Sequence, residues 1–122
     1  MFQSLKSCLI ALALVAQASS AGALELVLVE QTGCHYCQQW HAEIGPAYPN
    51  TAEGKAAPLR TVQLGALPDD LTLVSRPVLT PTFILVEDGQ ELARIVGYPG
   101  DIWFWPLLNE LLVAHGGLQA GE

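Results

Sequence analysis

The chain is 122 residues long, which allows one domain and little more, and 51% of it is hydrophobic. Its formal net charge of −7 argues against nucleic acid and against anionic membrane surfaces as partners.

The opening MFQSLKS carries one lysine and no acid, CLIALALVAQ is an apolar run, and ASSAGA is small and polar. This is the layout of a secretory signal peptide, residues 1–23, with an A-x-A pattern at Ala21-Gly22-Ala23. Cleavage after Ala18 is a second possibility. The apolar run is shorter than the ~20 residues that span a bilayer, so an uncleaved anchor is the lesser reading. Cys8 precedes the apolar run and is expected to leave with the signal. What remains, residues 24–122, keeps two cysteines, four Lys and Arg and all twelve Asp and Glu, for a net charge of −8.

LELVLVE, residues 24–30, alternates and then runs apolar, as a central strand does. Thr32-Gly33 breaks it, and from Cys34 or His35 the pattern turns helical. Cys37, Trp40, His41 and Ile44 share one face, while Gln38, Gln39 and Glu43 lie opposite. Gly45-Pro46 stops this helix. AYPNTAEGKAAP reads as a loop with one helical turn. LRTVQLG, 59–65, is a second strand with Leu59, Val62 and Leu64 inward. ALPDDLTLVSRPVLTP is a connection with a short helix expected near 69–73. TFILVEDGQELARIV, 82–96, is a β-hairpin around Asp88-Gly89. GYPGD is a loop, and IWFWPLLNELLVAH is a C-terminal helix, capped by Asp101 and ended by Gly116-Gly117. Pro106 is expected to distort that helix or to move its start toward Trp105. The crossover between the first two strands makes them parallel, and the hairpin adds two antiparallel strands. The expected fold is an α/β domain with a mixed four-stranded sheet flanked by helices.

TGCHYCQQW, 32–40, holds both remaining cysteines. At a helix N-terminus the unpaired N–H groups and the positive end of the dipole stabilise a thiolate. Cys34 at the tip should then have a lowered pKa and act as nucleophile, and Cys37, one turn deeper, should resolve a mixed disulfide. Haem attachment needs a histidine directly after the second cysteine, where Gln38 stands. A stapling disulfide over so small a ring would restrict the unfolded chain little. Structural zinc wants four ligands, and only His35, His41 and His115 are left to join the cysteines, so no metal is assigned; a copper- or zinc-binding module stays open as an alternative. His41 reads better as a half-buried face residue than as a ligand.

A strand, then GCHYC opening a helix, then TPTFILVEDGQ leading into a hairpin, resembles the thioredoxin superfamily over nearly all of residues 24–115. The resemblance implies a cis Thr80–Pro81 bond with Pro81 facing the cysteines, where isolated X-Pro bonds are cis only ~5% of the time. It implies a peptide groove in which the backbone of Thr80 pairs with an extended substrate, with Gly97 and Tyr98 of the VGY loop as the other wall. The sequence also resembles the small exported thioredoxin-like proteins associated with bacterial sulfur-oxidation (Sox) operons. Members of that group are thought to keep thiols of periplasmic sulfur-oxidation proteins reduced.

The chain departs from ordinary thioredoxin in two places. The middle pair is His35-Tyr36, which should tune the couple; a protonated His35 would stabilise the Cys34 thiolate and make the disulfide more oxidising, and an exposed neutral His35 would do nothing. The buried acid that thioredoxins carry six residues before the first cysteine is Leu28 here. Glu30 is the nearest carboxylate on that strand, either an aid to proton transfer from Cys37 or a solvated strand-end acid. Of Tyr36, Tyr98, Trp103 and Trp105, two should be core and two exposed.

The function expected is therefore thiol–disulfide exchange in the periplasm, as a reductase of disulfides or persulfide-type adducts. The alternatives are an oxidant, an isomerase or a metal module. The reductase reading calls for protein thiol substrates, a membrane electron donor, no cofactor beyond the dithiol, and a monomer.

Overall fold

The computed structural model describes residues 23–121. The expected signal segment therefore lies outside the described residues, apart from Ala23. The elements run β1 (Leu24–Glu30), α1 (His35–Glu43), a 3-10 turn (Tyr48–Asn50), α2 (Ala52–Ala56), β2 (Leu59–Gln63), β3 (Thr82–Glu87), β4 (Gln90–Val96) and α3 (Asp101–Ala114). The sheet order is β2-β1-β3-β4, with β1 parallel to β2 and every other pairing antiparallel. This is the mixed four-stranded sheet expected from the sequence.

β1 is the centre, and Leu26 to Val29 are all fully buried because both sheet faces are covered. Period-2 alternation sorts them. Leu26 and Leu28 join Phe83, Leu85 and Ile95 on the face that takes the helices. There α1 contributes Trp40 and Ile44, and α3 contributes Phe104, Leu108 and Leu112. Val27, Val29, Val62, Ile84 and Val86 point to the other face.

The expected helix near 69–73 is not formed. Leu67, Leu71 and Leu73 instead lie in extended chain packed on the valine face of the sheet. A helical turn would aim those leucines in different directions; extended chain with a turn at Asp69-Asp70 lays all three on one surface. The connection then runs beside β4. The Thr72 N–H donates to the Gly89 carbonyl at 2.8 Å, and the Glu91 N–H donates to the Thr72 carbonyl at 3.0 Å. Glu91 accepts from the Val74 N–H at 2.9 Å, and Arg94 reaches the Ser75 carbonyl at 2.8 Å.

The hairpin turn has Asp88 at φ 50° and Gly89 at φ 80°. Two successive positive φ values are what a two-residue turn matched to strand twist requires. Gly89 also has a steric reason, since a Cβ there would stand 2.3 Å from the Asp70 carbonyl oxygen.

Helix α3 starts one residue earlier than expected, and its cap is Gly100 at φ 94°, not Asp101. Asp101 sits inside the first turn, where its carboxylate accepts from the Ile102 N–H at 2.8 Å and lies favourably at the positive end of the dipole. Pro106 neither ends the helix nor moves its start. Buried Phe104 and the stacking of Trp105 on Tyr48 hold the turn before it. The far end closes as expected: Gly116 at φ 78° donates to the Val113 carbonyl and Gly117 to the Leu112 carbonyl, a Schellman motif.

The segment after α1, expected as a loop with one helical turn, holds the 3-10 turn and the five-residue α2. Thr51 caps α2, accepting from the Gly54 N–H at 2.9 Å. The Tyr48 hydroxyl, buried, donates to the Ala57 carbonyl at 2.6 Å. Burial raises its pKa strongly.

Candidate active site

Cys34 and Cys37 are joined as a disulfide, with their Cα atoms 5.2 Å apart. Cys34 is the N-cap of α1, in extended conformation, and its sulfur accepts from the Cys37 N–H at 3.1 Å. A sulfur at this place takes over the capping work usually done by Ser or Asp, so a thiolate there would meet the unpaired N–H groups of the first turn. Cys34 is half-buried, while Cys37 is only 3% exposed. The turn that delivers Cys34 uses Gly33 at φ 79°, and the Cys34 N–H donates to the Gln31 carbonyl at 3.3 Å.

His35 and Tyr36 are both exposed, their rings edge to face at 5.3 Å. Tyr36 and Trp103 stand out at 57% and 64% exposure, whereas Tyr98 is buried and Trp105 half-buried. That is the division into two outward and two inward aromatics expected from the sequence.

The Thr80–Pro81 bond is cis, and Pro81 is buried. Two hydrogen bonds tie this loop to its surroundings. Gln31, three residues before Cys34, donates from its amide to the Thr80 hydroxyl at 2.9 Å. The Gly97 N–H donates to the Pro81 carbonyl at 2.8 Å. Thr80, Pro81 and Gly97 are thus tied together by these bonds and, through Gln31, to the turn that precedes the motif. Tyr98 is different. Its side chain turns inward, and its hydroxyl donates to Glu43 at 2.5 Å. It fixes the wall loop to the end of α1, and what it offers a groove is backbone alone. The bonds from Tyr98 and Gln39 hold the Glu43 carboxyl below its ordinary range, and burial followed by Glu43 pushes the Tyr98 phenol up.

Beside the disulfide lies an open cleft of about 260 Å³ with Cys34, Cys37, Glu30 and His41 in its lining. Glu30 is not a free strand-end acid: its carboxylate meets His41 Nε2 at 2.7 Å. His41 follows Cys37 by one turn of α1, and instead of joining the core it leans to the end of β1, with 43% of its side chain exposed against 19% for Glu30. The sequence signal for this pair was present in two separate places, a carboxylate ending the strand and a histidine four residues after the second cysteine. Only the packing of α1 against β1 joins them. Leu28, six residues before Cys34, is fully buried in the apolar core. Among the described residues no group of three or more His, Cys, Asp or Glu is arranged to hold a metal ion. No helix among them is long and apolar enough to cross a membrane.

No protein-family model matches the chain, and no curated protein matches it. Among solved structures it is similar to the periplasmic thioredoxin SoxS from Paracoccus pantotrophus, in its reduced form. The identity is 47%, over 73% of this chain and 95% of that one, with a TM-score of 0.71. The Malassezia sympodialis thioredoxin Mala s 13 is 18% identical over 73% of this chain and 75% of that one, with a TM-score of 0.47.

Proposed function

Because this chain belongs to the thioredoxin superfamily, as a relative of the periplasmic thioredoxin SoxS, we propose that it is an exported reductase of protein disulfides or persulfide-type adducts. The underlying chemistry is thiol–disulfide exchange at Cys34 and Cys37. The observation that carries the reading is the arrangement of that pair: a half-buried Cys34 sulfur on the tip of α1, and an almost wholly covered Cys37 one turn deeper. Cys34 attacks a substrate disulfide because its thiolate is favoured by the helix terminus, and Cys37 then attacks Cys34 and frees the substrate. Thr80 and Pro81 form one side of the substrate groove, and Gly97 with the Tyr98 backbone forms the other.

The likeness to SoxS supports a periplasmic site of action, and with it the cleavage of residues 1–23. It supports substrates among the proteins of sulfur oxidation. A reductase in an oxidising compartment needs electrons from the other side of the membrane, so a membrane donor belongs to this reading. A single groove suffices for reduction, so the working unit is a monomer.

Two features oppose a strongly reducing couple: His35 beside Cys34, and Leu28 in place of a buried acid. The couple should therefore lie between the ~−270 mV of a thioredoxin and the ~−120 mV of a strong oxidant. Equilibration against a glutathione or dithiothreitol buffer measures it. In cells, a Cys37→Ser variant should accumulate mixed disulfides through Cys34 with its substrates. Wild-type protein found fully oxidised beside a working electron donor would replace the reductase with an oxidant.

A further inference from the structure

The resolving step of any dithiol of this type has a proton to move. Cys37 is 3% exposed, and a covered thiol ionises reluctantly without a base beside it. The position six residues before Cys34 offers none, since Leu28 is fully buried among Trp40, Phe83 and other apolar side chains. The cleft lined by both cysteines is therefore the place where a base could act. Its charged or titratable lining, among the described residues, is Glu30 from β1 and His41 from α1, together with the two cysteines. The neighbours that β2 and the 31–33 loop turn to it, Gln63 and Gln31, are uncharged, as is Gln38 on α1.

Glu30 and His41 are not independent groups. The carboxylate is 19% exposed and bonds His41 Nε2 at 2.7 Å. An ionised carboxylate only accepts, so Nε2 carries the proton and Nδ1 becomes the acceptor of the ring. Residues four apart on a helix are neighbours on its surface, which puts the ring of His41 beside the turn that holds Cys37. The cleft between them is large enough for water to complete the path, at ~30 Å³ per molecule.

We propose that His41, held by Glu30, is the proton acceptor for Cys37, and that this pair stands in for the buried acid missing at Leu28. The proposal rests on the reductase reading above. In the forward direction the Cys34 thiolate attacks a substrate disulfide; the first substrate sulfur leaves as a thiolate and the second stays bonded to Cys34. Cys37 gives its proton to His41, and its sulfur attacks Cys34. The Cys34–Cys37 bond forms, the bond from Cys34 to substrate breaks, and the second substrate thiolate leaves, taking the proton back from the imidazolium. The cysteine pair loses two electrons and the substrate disulfide gains them. His41 handles the reacting proton; Glu30 is a positioning residue that holds the ring and fixes its tautomer.

The test is stopped-flow mixing of the reduced mature protein with a dipyridyl disulfide, whose two halves absorb as they are released. The first half reports attack by Cys34 and the second reports resolution by Cys37. In H41Q and E30Q the first phase should keep its rate, and the second should slow by at least about tenfold. The pH at which the second phase reaches half its maximum should rise in both variants. The double variant should be no slower than H41Q alone, because the two residues act as a unit. A second phase with unchanged rate and pH profile in H41Q overturns the proposal, as does equal slowing of both phases. Failure of the wild type to release even the first half would instead overturn the oxidoreductase reading.

Discussion

His35 is the first helical residue of α1, exposed, and next to the sulfur that caps the helix. In its protonated form the ring would add one positive charge where the helix already favours a thiolate, which would stabilise the reduced pair relative to the disulfide. Proline is well accommodated at this position because its missing N–H has no partner to lose there. His35→Pro should therefore keep the fold and make the potential more negative by about 30 mV, equal to ~1.4 kcal/mol or tenfold in the equilibrium. An unchanged potential would make His35 a bystander. At this scale the sequence was legible where one residue type has one use. Cys34 and Cys37 could be placed at a helix tip from spacing alone, and Pro81 from its likeness to a known motif. Tyr98 could not be oriented, because a tyrosine on a wall loop serves equally as groove lining or as an anchor. Its hydroxyl found Glu43, 55 residues away in sequence.

Among the elements, α2 has five residues and no independent stability. It exists because Thr51 caps it and because Tyr48 ties its end to the chain before it. The Tyr48 ring is 1% exposed and its hydroxyl bonds the Ala57 carbonyl, so Tyr48→Phe leaves that carbonyl unpaired inside the protein. The variant should lose about 1–3 kcal/mol of stability, seen as a lower Tm by circular dichroism, with the redox potential unchanged. An unaltered Tm would mean the carbonyl finds another partner. The elements that the sequence pattern described well, β1, α1 and the hairpin, are set by burial: β1 and β3 are covered on both faces, and α1 turns one face to the core. The connection from 64 to 81 misled because its leucines fit a short helix as well as an extended chain. The choice depends on the valine face of a sheet assembled from distant segments. Asp101 was mistaken for a cap for a related reason: Gly100 caps through its positive φ, which no side-chain pattern announces.

Over the whole molecule, the described carboxylates with clear shifts are all held below their ordinary values, Glu43 by Tyr98 and Gln39, Asp70 by Arg60, and Glu91 by Arg94. A carboxyl with a depressed folded pKa contributes stability above its unfolded value and loses it as pH falls through the folded one. Stability should thus be level near neutral pH and decline once the pH drops below the ordinary values of 4.5 for Glu and 3.8 for Asp. Urea titrations at descending pH measure this, and Glu91→Gln should make the decline shallower. The fold class and two of the three strand pairings were legible at this scale, since a crossover makes β1 and β2 parallel and a hairpin makes β3 and β4 antiparallel. How the second face of the sheet is covered was not. The segment that covers it continues along β4, where Thr72 and the Glu91–Arg94 pair hold it against the outer strand. An uncovered outer strand is a template on which further copies can add in register, the first step toward fibrils. What reads in the sequence as slack between two strands is therefore a guard that keeps the outer strand from serving as a nucleus of aggregation.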